Sequence, residues 1–199
     1  MNFIELNLLE VLDIYGEEQT KFLLSQFECP KNIDVENFIR NKAINFIKQR
    51  IAITYLVFSE TKNPEFVGYY SLANKFVSIK NGALGKGFHK RINKFAQYDV
   101  ETNRYMVSMP LIAQLGRNFN HLLKTSIDGE VLLDMACNKV KDALSIIGGK
   151  MVYIECGNNS KLYNFYSCSN FIEFGRRNKE NEEISESLIL VQMLKYFKG

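Results

Sequence analysis

The sequence predicts a mixed α/β fold in which helices cover a sheet of mixed strand direction. After Tyr105, apolar segments follow the order strand, helix, strand, helix, strand, strand, which requires crossover connections onto one sheet. Before that point, two β-branched and aromatic segments flank the turn 61–64 and predict a hairpin. The length of 199 residues, with 46% hydrophobic and 24% charged residues, suits one domain with its own core.

Hydrophobic period defines each predicted element. The predicted strands are 3–6, 51–59, 65–77, 105–117, 150–156, 171–176 and 188–196. The predicted helices are 17–26, a helix capped by Asp34, 128–147 (ended by Gly148 and Gly149), and 160–168. Residues 80–103 are Gly-rich and basic without a clear period, so we treat them as an insert within a single domain, 1–199. A polar run over 177–186 leads into the last strand.

Composition excludes several classes of protein. No apolar stretch is long enough to span a membrane, and acidic residues interrupt the N-terminal apolar positions, unlike a signal peptide. The four cysteines lie far apart without a CxxC pair, which favours free thiols in a reducing cytoplasm over a metal site. The two histidines, His89 and His121, form no triad pattern, which disfavours a Ser or Cys hydrolase.

The sharpest motif lies in the predicted helix near the C-terminus. Residues 159–166 (NSKLYNFY), followed by Asn170 and Phe171, resemble the GNAT acetyltransferase motif N-x-x-A-x-x-F/L-Y-x-x-x-G-F. Asn159 and Tyr166 occupy the family's Asn and Tyr positions. Asn170 replaces the usual Gly, an exchange that is tolerated because Asn is the next best residue at positive φ. By itself, the segment is equally consistent with a surface helix whose aromatic side chains fill a core.

The GNAT resemblance implies acetyl-CoA as the co-substrate. In that family the main chain of a strand binds the pantetheine arm, here Leu115, Gly116 and Arg117, and Asn159 is carried over as a cofactor contact. A loop at a helix N-terminus holds the pyrophosphate through its N–H groups. The family's loop pattern, R/Q-x-x-G-x-G/A, falls on Lys124, Thr125, Ser126, Ile127, Asp128 and Gly129. Only its first and last positions match, and Asp128 by itself reads as a helix cap.

The N-terminal third resembles the GNAT toxins of toxin–antitoxin pairs. The segment 27–30 (FECP), the helix after Asp34 and the strand 67–73 (VGYYSLA) occur in the order typical of those toxins, and the resemblance spans about residues 27–174. It implies a mostly antiparallel central sheet of six to seven strands. It also implies acetylation of the amino group of aminoacyl-tRNA and an antitoxin partner, with a homodimer as a further expectation.

The implied reaction is direct attack of an amine on a thioester, which requires no covalent enzyme nucleophile. Tyr166, at the family's tyrosine position, is the candidate acid for the departing CoA thiolate. A weak acid suffices because the thiolate leaves readily. No general base stands out in the sequence.

The substrate hypothesis depends on a basic stretch without acidic residues, 75–94, in which Lys86, Lys90 and Arg91 are the candidate RNA contacts. A solvated loop kept soluble by its charge is the alternative. Two other functions stay open: acetylation of a small-molecule or protein amine, and a non-catalytic acyl-CoA-binding protein.

Overall fold

The computed structural model describes residues 2–179 and 189–198, which divide into two compact units. The first unit comprises residues 2–73 and 112–137, and the second comprises 74–111, 138–179 and 189–198. The predicted single domain stays a prediction. The polar run 177–186 lies largely outside the described residues, as does the predicted first residue of the last strand, Leu188.

Strands and helices alternate along the chain. In order, the elements are β1 (Phe3–Asn7), α1 (Leu8–Ser25), α2 (Ile33–Asn37), a π-helical segment (Phe38–Lys42), α3 (Ala43–Lys48), β2 (Ile53–Ser59), β3 (Phe66–Lys80), α4 (Lys86–Ile92), β4 (Gln97–Asp99), β5 (Arg104–Arg117), α5 (Gly129–Ile147), β6 (Met151–Gly157), α6 (Ser160–Cys168), β7 (Ile172–Asn178) and β8 (Ile189–Tyr196). No helix in the described residues is long and apolar enough to cross a bilayer.

The strands form an eight-stranded sheet in the order β1-β2-β3-β5-β6-β8-β7, with β4 paired to β5. Strands β5 and β6 are parallel, whereas the β1–β2, β2–β3, β4–β5, β6–β8 and β7–β8 pairs are antiparallel. The parallel pair needs a crossover, which α5 supplies. The predicted mixed, mostly antiparallel sheet is confirmed. The strand beyond the seven predicted ones is the short β4.

The core of the first unit is aromatic. Phe27 packs edge-on to Tyr69 with ring centroids 5.0 Å apart and lies 5.7 Å from Phe66. The Tyr69 hydroxyl donates a hydrogen bond to the Val35 carbonyl at 2.6 Å, which ties β3 to helix α2. Because that hydroxyl is bonded, the fully buried tyrosine leaves no unsatisfied polar group in the core.

The helices of the first unit correct two predictions. Helix α1 begins at Leu8, capped by Asn7, and Gly16 (φ +77°) divides it, so that only its second half corresponds to the predicted helix 17–26. The predicted cap Asp34 is wrong: Asn32 Oδ1 accepts hydrogen bonds from Asp34 N at 3.1 Å and Val35 N at 3.4 Å. An Asx side chain two residues earlier was available, and it starts the helix at Ile33.

The predicted insert without regular structure contains helix α4 and strand β4. Two apolar side chains of this region are buried, Leu84 and Ile92, at 5% and 1% exposure, and of these only Ile92 belongs to α4. A seven-residue helix with one buried side chain is too short to display a helical period in the sequence. The basic side chains of α4 therefore lie on a defined helix.

Gly116 of β5 is expected to tolerate no side chain. A Cβ built there would lie 2.5 Å from Val35 Cγ1 and 2.9 Å from ring atoms of Phe27 and Tyr69. We expect Gly116→Ala to lower the free energy of unfolding by about 1–3 kcal/mol through overpacking, as measured by urea titration. The matched control is Gly87→Ala, where nothing lies within 4 Å of the added methyl group. Equal stability of the two variants would contradict the packing described here.

Candidate active site

The predicted pantetheine strand is the C-terminal end of β5, where it approaches β3 closely. A Cβ on Gly68 would lie 2.9 Å from the Gly116 carbonyl oxygen, so a glycine on β3 permits this approach. Leu115 and Arg117 are half-buried, whereas Gly116 is buried against core side chains. Gly116 therefore offers a ligand only its main chain, the role that the GNAT resemblance implies for it.

A buried amide, Asn118, holds the beginning of the loop that follows β5. Its Oδ1 accepts hydrogen bonds from Glu28 N at 2.9 Å and Asn120 N at 3.0 Å. Its Nδ2 donates to the Phe66 carbonyl at 2.8 Å. Asn118 was not among the predicted site residues, although a polar side chain directly after a buried strand was a usable signal in the sequence.

Two N–H groups of the predicted pyrophosphate loop bind a carboxylate of the protein itself. Lys124 N donates to Glu65 Oε1 at 3.1 Å, and Thr125 N donates to Glu65 Oε2 at 2.8 Å. These hydrogen bonds, led by the one from Lys124, hold the pKa of Glu65 below its usual range. The loop therefore presents main-chain N–H groups to an anion, which in this structure is the Glu65 carboxylate.

The two residues that depart from the family's loop pattern have structural roles. Ile127, at a glycine position of the pattern, is 1% exposed, and its Cγ2 would contact a Cβ on Gly68 at 3.4 Å. Asp128 precedes the first residue of α5, Gly129, and its carbonyl accepts the hydrogen bond from Leu132 N at 3.0 Å. The N–H groups of the first helical turn lack intrahelical acceptors and point toward the loop. Ser126 lies exposed between these positions.

Arg117 is half-buried and has one unsatisfied donor. Its guanidinium lies 5.3 Å from the Phe119 ring centroid, and Lys31 Nζ lies 4.7 Å from the same centroid. Arg117 Nε is buried and has no hydrogen-bond partner among the residues that the structure describes. A buried donor of this kind is expected to find an acceptor in a ligand or in water. The donor types of this unit, an arginine Nε without a partner and the loop N–H groups of Lys124 and Thr125, are ones that fit a phosphate.

In the second unit, helix α6 carries the predicted catalytic tyrosine. Asn159 caps the helix, because its Oδ1 accepts a hydrogen bond from Leu162 N at 2.9 Å. Tyr166 is half-buried between Phe165 and Phe171, at centroid distances of 4.9 Å and 5.8 Å. Asn170 has φ +66°. This positive φ was the predicted reason why Asn can replace the family's glycine at this position.

The pKa values of two cysteines, Cys29 and Cys156, are raised, so neither thiol is a nucleophile at neutral pH. Burial is the largest cause that raises the pKa of the Cys156 thiol, to about 11, and that raises the pKa of Cys29. None of the four cysteines is joined in a disulfide. Within residues 2–179 and 189–198, no group of three or more His, Cys, Asp or Glu side chains is arranged to hold a metal ion.

A carboxylate inside β6, missed by the sequence analysis, is engaged by its neighbours. Glu155 accepts hydrogen bonds from Arg177 Nη2 at 2.6 Å and from Gln192 Nε2 at 2.8 Å. Glu155 is thus joined to β7 by an ion pair with Arg177 and to β8 by the hydrogen bond from Gln192. A charged residue within a run of buried strand residues was the signal in the sequence.

Helix α4 displays the three predicted RNA contacts. Lys86 and Lys90 are exposed. Arg91 is also exposed, and its guanidinium lies 5.1 Å from the Tyr196 ring centroid and 5.9 Å from that of Phe88. Aromatic contacts orient one cation, while the two lysines extend into solvent.

The two sets of predicted residues belong to different units. The first unit contains the cofactor candidates Leu115, Gly116, Arg117, Lys124, Thr125, Ser126, Ile127, Asp128 and Gly129. The second contains Tyr166, Asn159, Lys86, Lys90 and Arg91. The structure thus brings the strand and the loop together in one unit, and it places the catalytic and basic candidates in the other.

The strand order, the crossover helix α5 and helix α6 define the GNAT fold. No protein-family model and no curated protein matches this sequence. Solved structures do match, and they confirm at the level of fold the predicted resemblance to GNAT toxins.

Three examples are similar to this chain over nearly its whole length. AtaT complexed with acetyl-methionyl-tRNAfMet is 18% identical, with a TM-score of 0.63 over 96% of this chain and 94% of that one. AtaTR bound with acetyl-CoA is 17% identical, with a TM-score of 0.58 over 98% and 93% of the two chains. A tyrosine-to-phenylalanine mutant of KacT is 16% identical, with a TM-score of 0.62 over 97% and 95%. At sequence identities this low, the similarity of the structures establishes the fold alone.

Proposed function

We propose that this chain is an acetyl-CoA-dependent N-acetyltransferase that transfers the acetyl group directly to a primary amine. The observation that carries the proposal is the loop after β5, whose N–H groups at Lys124 and Thr125 already bind an anion. The fold adds support, since the similar AtaT toxin has been solved with acetyl-CoA and its antitoxin AtaR. Acetyl-CoA supplies an activated acyl group as a thioester.

The residues that would hold the co-substrate follow from the donor set. The main chain of 115–117 would pair with the pantetheine arm, and the N–H groups of 124–129 would bind the pyrophosphate. Arg117, at the end of the same strand, offers a further donor, its buried Nε. Asn159 caps α6 and stays a predicted cofactor contact.

The catalytic acid in this proposal is Tyr166. Its hydroxyl would donate a proton to the leaving thiolate, while Phe165 and Phe171 hold its ring. Structures of tyrosine-to-phenylalanine mutants of AtaT and KacT, which have the same fold, have been solved. The attacking amine must be neutral, and water or a main-chain carbonyl is left to accept the proton that its nitrogen loses.

The acceptor that we propose is the amino group of aminoacyl-tRNA. The exposed cations of α4 supply charge that can contact a phosphate backbone. AtaT, with the same fold, has been solved with an acetylated aminoacyl-tRNA. The proposal includes an antitoxin partner and a cytoplasmic location, and a homodimer stays a prediction.

A non-catalytic acyl-CoA-binding protein is the second candidate. Ile127 is buried where the family pattern has glycine, and Glu65 occupies two loop N–H groups. Both features favour weak cofactor binding. Acetylation of a small-molecule or protein amine is the third candidate, and it does not need the cations of α4.

Acetyl-CoA is expected to raise the melting temperature. At a concentration of 100 Kd, ligand binding adds about 2.7 kcal/mol of stability, which corresponds to about 5–10 °C for a chain of this size. Pantetheine, which lacks the pyrophosphate, serves as the control and is expected to cause a smaller shift. A melting curve unmoved by millimolar acetyl-CoA would contradict both an acetyltransferase and an acyl-CoA-binding protein. Transfer of labelled acetyl then separates those two.

A further inference from the structure

Glu65 lies at the start of β3 with its main chain fixed. Ser59 N donates to the Glu65 carbonyl at 3.0 Å, and Glu65 N donates to Ser59 Oγ at 3.0 Å. From this position the side chain reaches a loop about 60 residues later in the chain and accepts hydrogen bonds from Lys124 N and Thr125 N. The carboxylate is thus held toward the loop from the β2–β3 hairpin, whose end is closed by the two hydrogen bonds between Ser59 and Glu65.

The loop does not depend on Glu65 alone for its conformation. Asn118 anchors its beginning, and Asn120 Oδ1 accepts a hydrogen bond from Leu122 N at 2.9 Å. Ile127 anchors its end in the core. The N–H groups of Lys124 and Thr125 are therefore expected to keep their direction when another anion replaces the carboxylate.

A carboxylate and a phosphate group present the same feature to this loop, two anionic oxygens that accept hydrogen bonds from consecutive N–H groups. Both cannot accept from one pair of N–H groups at once, and two anions side by side repel each other. The neighbouring turn, 61–64, is exposed, so a displaced carboxylate can be hydrated there.

We propose that Glu65 is an internal competitor for the phosphate-binding N–H groups, and that acetyl-CoA must displace its side chain to bind. This inference rests on the proposed function. Glu65 is then a residue that sets affinity for the co-substrate, with no part in the transfer step. Its presence weakens acetyl-CoA binding and restricts the loop to ligands whose phosphates outcompete a carboxylate.

The test measures acetyl-CoA affinity by isothermal titration calorimetry on the full chain. Glu65→Gln removes the charge but keeps the shape, and it is expected to lower the Kd by about tenfold, since a neutral amide oxygen accepts hydrogen bonds more weakly than a carboxylate. The matched control is Glu60→Gln, which removes one exposed negative charge from the same hairpin and leaves the Lys124 and Thr125 N–H groups bonded. We expect that variant to bind within twofold of the wild type.

A second measurement needs no variant. In NMR spectra of the wild type, saturating acetyl-CoA is expected to move the N–H signals of Lys124 and Thr125 and to shift the Glu65 carboxylate carbon to the value of a hydrated glutamate. A carboxylate signal that stays in place with acetyl-CoA bound overturns the inference, as does a Kd for Glu65→Gln equal to or above that of the wild type. If the wild type and both variants bind no acetyl-CoA, the proposed function falls and takes this inference with it. These outcomes are distinct.

Discussion

Replacing Tyr166 with phenylalanine is expected to lower kcat by about 10²–10⁴, the usual contribution of a general acid. KM is expected to change much less, since the hydroxyl would act on the leaving thiolate and not on the bound substrates. The ring should remain in place because its contacts with Phe165 and Phe171 involve no hydroxyl. The measurement is steady-state transfer of labelled acetyl from acetyl-CoA at several acceptor concentrations.

The matched control is Tyr163→Phe, which removes a hydroxyl from the same helix, one turn before Tyr166. Its kcat is expected to stay within about twofold of the wild type. An unchanged kcat in the Tyr166 variant would assign Tyr166 to packing alone and leave the proton of the thiol to water. Equal losses in both variants would indicate damage to α6, which a melting curve of each protein would detect.

Local signals predicted the parts of the fold that depend on local chemistry. Helix α6 has the predicted bounds, 160–168, because its cap is an Asn at the correct offset and its end is an Asn at positive φ. Helix α5 ends as predicted, at Gly148 and Gly149, whose φ angles are +82° and +109°. In both cases the residue type at one position decides the backbone conformation.

Non-local contacts account for what the sequence analysis missed. Glu65 follows a proline in a turn, and nothing near it in the sequence indicates its bonds to Lys124 and Thr125. In the sequence, Ile127 is a mismatch to the glycine of the family's loop pattern. Its side chain packs into the core next to Gly68 of β3, a contact that the sequence does not indicate. A single sequence carries the residue types but not the pairings that sheet formation creates.

For helix α4, too, the sequence indicated the residue types but not their arrangement. Its charges were evident in the sequence, but their arrangement on a helix was not. Two basic side chains of the first unit, Arg40 in the π-helical segment and Lys48 in α3, are paired within that unit. Arg40 pairs with Glu36 at 2.9 Å, and Lys48 pairs with Glu17. Charge that is neutralised by neighbours contributes little to phosphate binding. Helix α4 is therefore the basic surface to test.

Replacing Lys86, Lys90 and Arg91 together with alanine is expected to weaken tRNA binding and to reduce its salt dependence. Each lost phosphate contact lowers the slope of log Kd against log salt concentration by about 0.7, so three contacts correspond to a change of about 2. Arg91 is included because its aromatic contacts fix the guanidinium in place, which lowers the entropy lost on binding. Filter binding of aminoacyl-tRNA over a range of salt concentrations measures this slope.

The control variant loses three positive charges outside α4. In it, three exposed lysines are replaced together with alanine: Lys62, Lys150 and Lys161. If only the net charge matters, tRNA binding is weakened equally in the two triple variants. If α4 contacts phosphates, the slope of log Kd against log salt concentration changes in the α4 variant only. Acetyl transfer to a small amine is expected to survive in both, because neither set includes the proposed cofactor or acid residues. Equal slopes for the wild type and the α4 variant would remove this helix from the RNA interface. Label transferred only to small amines or protein, and none to charged tRNA, would favour the small-molecule or protein acetyltransferase instead.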